Sequence, residues 1–178
     1  MFTRNIYLPQ MLNYLPDDVY ATVTKSVPII CVDLIPVRKN GGGKWEIGVI
    51  TRATGSQAGK VALIGGRIGY DESVIDAVRR HLTTDCGIDK FMFLSCNEVN
   101  RPFSIEQYIH RKDAKNSTYD PTKHAISLTY LMEIDKVPKP KNEARDFLWI
   151  QNTGIPEMTA FNQNVVMRKA FEFLQNKA

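Results

Sequence analysis

The sequence predicts an α/β fold of the α+β kind, with a mixed β-sheet sandwiched between α-helices. Three observations predict it. Residues 27–37 form a near-continuous apolar run rich in β-branched side chains, as a strand buried on both faces requires. Gly65-Gly66-Arg67-Ile68-Gly69 reads as a glycine turn that opens onto one amphipathic helix, which stops at Gly87. Val165, Val166, Ala170 and Phe173 give the C-terminal segment one apolar helical side.

Residues 1–14 show no clear period and are read as an N-terminal extension; residues 15–178 are read as a single domain. Ile6, Tyr7, Leu8, Met11 and Leu12 are apolar enough to pack on something, and a homodimer is the expectation they raise. Leu15-Pro16-Asp17-Asp18 starts a short helix, with proline early and acids in the first turn. Val19, Val23 and Tyr20 supply its inner face, and Pro28 ends it.

The strand 27–37 contains one acid, Asp33. A buried carboxylate needs a partner or a cation, so Asp33 is either a structural hydrogen-bonding residue or a site acid. Asn40-Gly41-Gly42-Gly43 makes a hairpin turn, residues 45–51 return as a strand, and Arg52 closes it. Residues 61–64 form the strand that delivers the glycine turn. In the helix that follows, Val74, Ile75, Val78 and Leu82 repeat at three- and four-residue steps as the buried stripe. Asp76, Arg79, Arg80, Thr83 and Thr84 lie opposite, and Arg80 is expected to pair with Asp76 four residues before it.

Residues 91–99 read as a strand. Residues 100–123 are polar, with Tyr108, His110, Arg111, Lys112, Lys115 and Lys123 among them. A stretch of this length without period is either a solvated loop or a functional lid whose basic content favours an anionic ligand. Residues 124–134 alternate as a strand, residues 138–141 form an extended proline-containing linker, and residues 142–150 are an acid-rich turn into a short strand.

The net charge of +4 is mild; it demands no nucleic acid and suits an anionic small molecule. Cys31, Cys86 and Cys96 are odd in number, and no two lie at zinc-ligand spacing, which predicts free thiols in a reducing compartment. The most apolar stretch is too short to span a bilayer, and no signal-peptide pattern opens the chain, so a cytoplasmic protein without membrane contact is expected.

From Gly66 there are five residues to Glu72 and seven more to Arg80; Leu82, Asp85, Gly87 and Ile88 then follow in register. This resembles the Nudix box of pyrophosphohydrolases, in which Gly, five residues, Glu, seven residues and Arg-Glu lead to an aliphatic residue, a Glu pair and a Gly. Three glutamates of that pattern fall on His81, Thr84 and Asp85, which share one helix face. In the family this face holds the catalytic cation with carboxylate oxygens; here it offers one short carboxylate, a hydroxyl and an imidazole. The resemblance implies the Nudix fold with a degenerate box.

Within that superfamily the chain is similar to GDP-mannose mannosyl hydrolase-like proteins, on Asp33, Arg52, Gly65-Gly66-Arg67 and the acid-then-Trp pattern ending in Trp149. The resemblance implies that Arg52 and Arg67 neutralise a bound diphosphate and that Asp33 acts at its sugar end, with His124 a further substrate-binding residue. It implies Mg²⁺ or Mn²⁺ held by the Gly66 carbonyl, Glu72, Asp85 and Glu143. The family's catalytic base falls on Ala144, which takes no proton, so His81, His110 or His124 would have to substitute. Two functions stay open. One is metal-assisted hydrolysis of a nucleoside diphosphate linked to another moiety, such as a nucleotide sugar. The other is an inactive Nudix-like domain that binds such a ligand as a sensor or interaction module.

Overall fold

The computed structural model describes residues 15–94, 99–110 and 118–176. The apolar N-terminal segment behind the homodimer expectation lies outside them, as do Cys96, Arg111, Lys112 and Lys115.

Helix α1 (Asp17–Ser26) begins after Pro16 and carries Asp17 and Asp18 in its first turn, where acids offset the positive end of the helix dipole. It ends where Val27 turns extended ahead of Pro28, because the residue before a proline avoids helical backbone. None of its residues is buried; the expected inner face amounts to Tyr20 and Val23, both half-buried.

The described residues contribute eight strands to the sheet: β1 (Ile29–Lys39), β2 (Trp45–Arg52), β3 (Val61–Ala62), β4 (Ile64–Arg67), β5 (Phe91–Phe93), β6 (Ser104–Tyr108), β7 (Ala125–Ile134) and β8 (Ala144–Ile150). β7 runs parallel to β1 and every other pairing is antiparallel, so the sheet is mixed as expected. β1 sits at its centre, next to β2, β4 and β7.

The strand expected over residues 61–64 is two strands. β3 pairs with β2, the chain then changes partner at Leu63, and β4 pairs with β1. The gap in the ladder is filled from afar: Leu63 N–H donates to the Gln163 Oε1 at 2.9 Å. Two of the glycines expected in a turn are part of β4, where Gly65 faces Asp33 and Gly66 faces Val32; Gly69 lies beyond the strand. Gly65 has φ 146°, and a Cβ there would overlap the Val32 carbonyl oxygen.

Helix α2 (Val74–Cys86) starts at Ser73, whose hydroxyl accepts the Asp76 N–H at 3.2 Å, and stops at Gly87 in the left-handed region. Val78 and Leu82 are fully buried on one sheet face with Leu34, Ile64 and Tyr130. Helix α3 (Asn164–Gln175) covers the other face through Val166, Met167, Ala170 and Phe171, against Ile35, Val49 and Leu131. These are the two helical layers of the predicted sandwich. The proline-containing linker straps the end of α2: Lys139 N–H donates to the Cys86 carbonyl and Lys141 N–H to the Asp85 carbonyl.

β6 interrupts the polar stretch over residues 100–123, expected as a lid or a loop. Its alternation is inverted: Ile105 is 64% exposed while Glu106 is 6% exposed. Lys169 on α3 closes over Glu106, with its ammonium 2.9 Å from both carboxylate oxygens. A strand that puts its acid inside and its isoleucine outside carries no apolar period to read.

Candidate functional site

A cavity of about 580 Å³ opens where β1, β4 and β7 lie side by side beneath α1. Asp33, Arg52, Gly66, Arg67, His81 and Glu143 all line it, so six of the sequence-predicted candidates come together. Glu72, Asp85 and His124 do not line it.

Asp33 forms the floor and is only 7% exposed. The Tyr108 hydroxyl donates to its Oδ2 at 2.6 Å, and Gln163 Nε2 donates to its Oδ1 at 3.3 Å. Gln163 thus joins the strand crossing at Leu63 to the site acid. Burial pushes the Asp33 carboxyl above its ordinary value, and the Tyr108 hydrogen bond only partly offsets this. Burial and the neighbouring Asp33 charge raise the Tyr108 hydroxyl as well, so it serves as a donor. Cys31 also lines the cavity, but burial pushes its thiol up to about 12, which leaves it protonated and unreactive.

Arg52 ends β2, where the register sets it opposite Ala144. It therefore meets Glu143 at 3.2 Å, and its guanidinium lies 5.4 Å from the centre of the Phe161 ring. Its Nε is buried and has no hydrogen-bond partner among the described residues, an open donor in the cavity wall. Arg67 lies at the other end, with its guanidinium 4.8 Å from the centre of the Tyr20 ring of α1.

The expected metal ligands are engaged elsewhere. Glu72 accepts from Arg80 Nε at 2.7 Å and from its terminal nitrogen at 2.8 Å, and it also accepts the Gly69 N–H at 2.7 Å. This corrects the expected Arg80–Asp76 pair: Asp76 takes Arg79 instead, at 3.5 Å. The loop before α2 folds back, so a residue eight positions away in sequence is nearer to Arg80 than one four away. Asp85 meets His81 Nδ1 at 3.3 Å and accepts the Thr84 hydroxyl at 3.3 Å. His81 Nε2 in turn lies 3.3 Å from the Arg67 carbonyl, and a Cβ on Gly66 would press against the same ring. Among the described residues no three His, Cys, Asp or Glu side chains gather as a metal site. Of the expected ligands, Glu72 pairs with Arg80, Asp85 with His81 and Glu143 with Arg52.

The His124 ring contacts Gln107 at 2.9 Å, outside the cavity lining. Its neighbour Lys123 lines the cavity instead and pairs with the buried Asp120 at 3.0 Å. Sequence reasoning missed Tyr108, Asp120 and Gln163. Tyr108 was hidden by the inverted pattern of β6, and Gln163 sits just beyond a 3₁₀ turn (Ala160–Asn162) that contains no motif. His110 stacks on Tyr119, with ring centroids 6.3 Å apart.

The comparisons agree with this architecture. A family model described as a domain of unknown function, DUF4916, matches residues 10–174. A solved structure from Jonesia denitrificans, described as a possible asymmetric diadenosine tetraphosphate hydrolase, is 27% identical with a TM-score of 0.67, covering 83% of this chain and 94% of that one. The NUDIX domain of Shewanella oneidensis NrtR, solved with ADP ribose, is 18% identical with a TM-score of 0.58, covering 91% of this chain and 94% of that one. A MutT NUDIX hydrolase from Burkholderia pseudomallei is 20% identical with a TM-score of 0.56, covering 79% and 98%. No curated protein matches the chain. The mixed sheet between helices is the fold of these Nudix proteins, and by the match over nearly its whole length the chain belongs to the family described as domain of unknown function DUF4916.

Proposed function

We propose that the chain is a Nudix-type hydrolase of a nucleoside diphosphate linked to another moiety, a nucleotide sugar such as GDP-mannose being the leading class. The observation that carries this reading is one cavity lined by Arg52, Arg67 and Asp33 together. Two guanidiniums match the oxygens of a diphosphate and stabilise the charge it gains on leaving. The unpartnered Arg52 Nε is a donor that a phosphate oxygen would satisfy. Asp33 is a carboxyl raised by burial at the cavity floor, which suits it to take the proton of an attacking water. In that reaction water forms the new bond to the sugar carbon. The bond from that carbon to the diphosphate oxygen breaks, and the diphosphate leaves with the electron pair.

Nudix hydrolases generally use a divalent cation, which supplies Lewis-acid help when bound. The engaged state of Glu72 and Asp85 favours a second reading, a domain that binds the same ligand without turning it over. A nucleotide ligand also agrees with the two aromatic faces, Tyr20 and Phe161, in the lining.

A product screen tests both. The purified chain is incubated with GDP-mannose, other nucleotide sugars, ADP-ribose and nucleoside triphosphates, with Mg²⁺, with Mn²⁺ and with chelator. Release of free sugar and nucleoside diphosphate is the expected result, lost in Arg52→Ala and Arg67→Ala. Silence on every substrate, with thermal stabilisation by one of them, moves the assignment to the binding domain. Silence without stabilisation overturns both.

A further inference from the structure

Besides Arg52, Arg67 and Arg80, which is paired with Glu72, the cavity wall holds one more cation. Lys123 lines it from the opposite side of β1. On one side of β1, Cys31 pairs with Arg67; on the other it pairs with Ser127, and the Ile29 N–H donates to the His124 carbonyl at 2.9 Å. Lys123 precedes β7 and lies four positions before Ser127, so it is offset from Arg67 along β1 as well as across it, and both long side chains still line the one cavity.

Asp120 holds Lys123 there. It is 3% exposed, and both of its oxygens are used: Oδ1 accepts the Thr122 N–H at 2.7 Å and the Thr122 hydroxyl at 2.6 Å, while Oδ2 meets the Lys123 ammonium at 3.0 Å. An ammonium has three donors, and Asp120 takes one. The same lysine lines the cavity that also holds Arg52 and Arg67.

We infer that Lys123, held by Asp120, is a specificity-determining residue that selects a ligand with a third anionic group beyond the diphosphate bound at Arg52 and Arg67. A third phosphate and a sugar carboxylate offer the same chemistry, an oxyanion that accepts from an ammonium. This rests on the reading of the arginines as the diphosphate site.

Isothermal titration in chelator tests it with four probes: inorganic pyrophosphate and tripolyphosphate, and UDP-glucose and UDP-glucuronate. The wild type is expected to bind the member with the extra anionic group, in at least one of these pairs, about tenfold more tightly than its partner, the worth of one charged hydrogen bond. Tripolyphosphate as that member identifies a phosphate; UDP-glucuronate identifies a carboxylate. Lys123→Met should abolish the preference while leaving pyrophosphate and UDP-glucose affinity within about twofold. Lys123→Met leaves Asp120 buried without its cation, so the double variant Lys123→Met/Asp120→Asn, which removes both charges, must give the same loss with a near-wild-type melting temperature. Lys123→Arg should keep the preference. Equal loss for both members of a pair, or a preference that survives in the double variant, overturns the inference while the arginine site stands. If no probe binds, or Arg52→Ala and Arg67→Ala leave every affinity unchanged, the diphosphate reading fails and takes this inference with it.

Discussion

Glu72 is a tie between two parts of the chain. It ties the loop after β4 to α2 through Arg80 and Gly69, and its side chain is 10% exposed. Burial alone would raise its carboxyl, but the Arg80 bonds outweigh this and hold it below the ordinary 4.5. A lowered carboxyl stabilises the fold above its unfolded value and loses that contribution as pH falls through the folded one. Glu72→Gln should therefore cost about 2 kcal/mol at pH 7, read as a lower urea midpoint, with the gap to wild type narrowing below pH 4.5. An unchanged midpoint at pH 7 would show that the pair does not hold the loop. Asp33 runs the other way. Its carboxyl is raised above 3.8, so its folded form binds protons more tightly than the unfolded chain and its ionisation weighs against the fold. The stability of wild type relative to Asp33→Asn should fall as pH climbs above 3.8, whatever the offset between the two at low pH. A pH-independent difference in urea midpoint contradicts the assignment.

At the scale of elements, α2 and β4 each depend on one small residue. Ser73 caps α2 by accepting the Asp76 N–H. Ser73→Ala should cost about 1 kcal/mol, visible as a lower melting temperature with an unchanged circular dichroism spectrum. A spectrum that loses helix would mean that the cap nucleates α2 and does more than trim its end. Gly65 faces Asp33 across the ladder at φ 146°, with no room for a Cβ against Val32. Gly65→Ala should cost about 3 kcal/mol or more and disturb ligand binding together with folding, because the displaced strand carries Arg67. Wild-type stability in this variant would show that β4 can shift without loss. The helix and its glycine stop were legible from period and spacing alone. The partner change at Leu63 was not, since it depends on Gln163, which lies far away in the chain.

For the whole molecule, the prediction concerns ligand linkage. A ligand at one hundred times its Kd stabilises the folded chain by about 2.7 kcal/mol, which a thermal melt resolves easily. A nucleotide sugar should raise the melting temperature of the wild type and leave Arg52→Ala and Arg67→Ala unmoved; a shift preserved in both variants would place the ligand elsewhere. Among the described residues no helix is long and apolar enough to cross a membrane.

The sequence by itself determined the sandwich, since apolar runs, glycine stops and amphipathic periods are local features that survive without tertiary context. It also brought Asp33 forward, as an acid in an apolar strand, and Arg52 and Arg67 through the family resemblance. Only the tertiary structure decided the rest. The partners of Arg80, Asp85 and Glu143, the hydrogen bonds that Tyr108 and Gln163 make to Asp33, and the choice of Lys123 over His124 all arise between elements far apart in the chain. Charge pairing depends on distance in space, and a sequence fixes such distances only within a helical turn or a strand register.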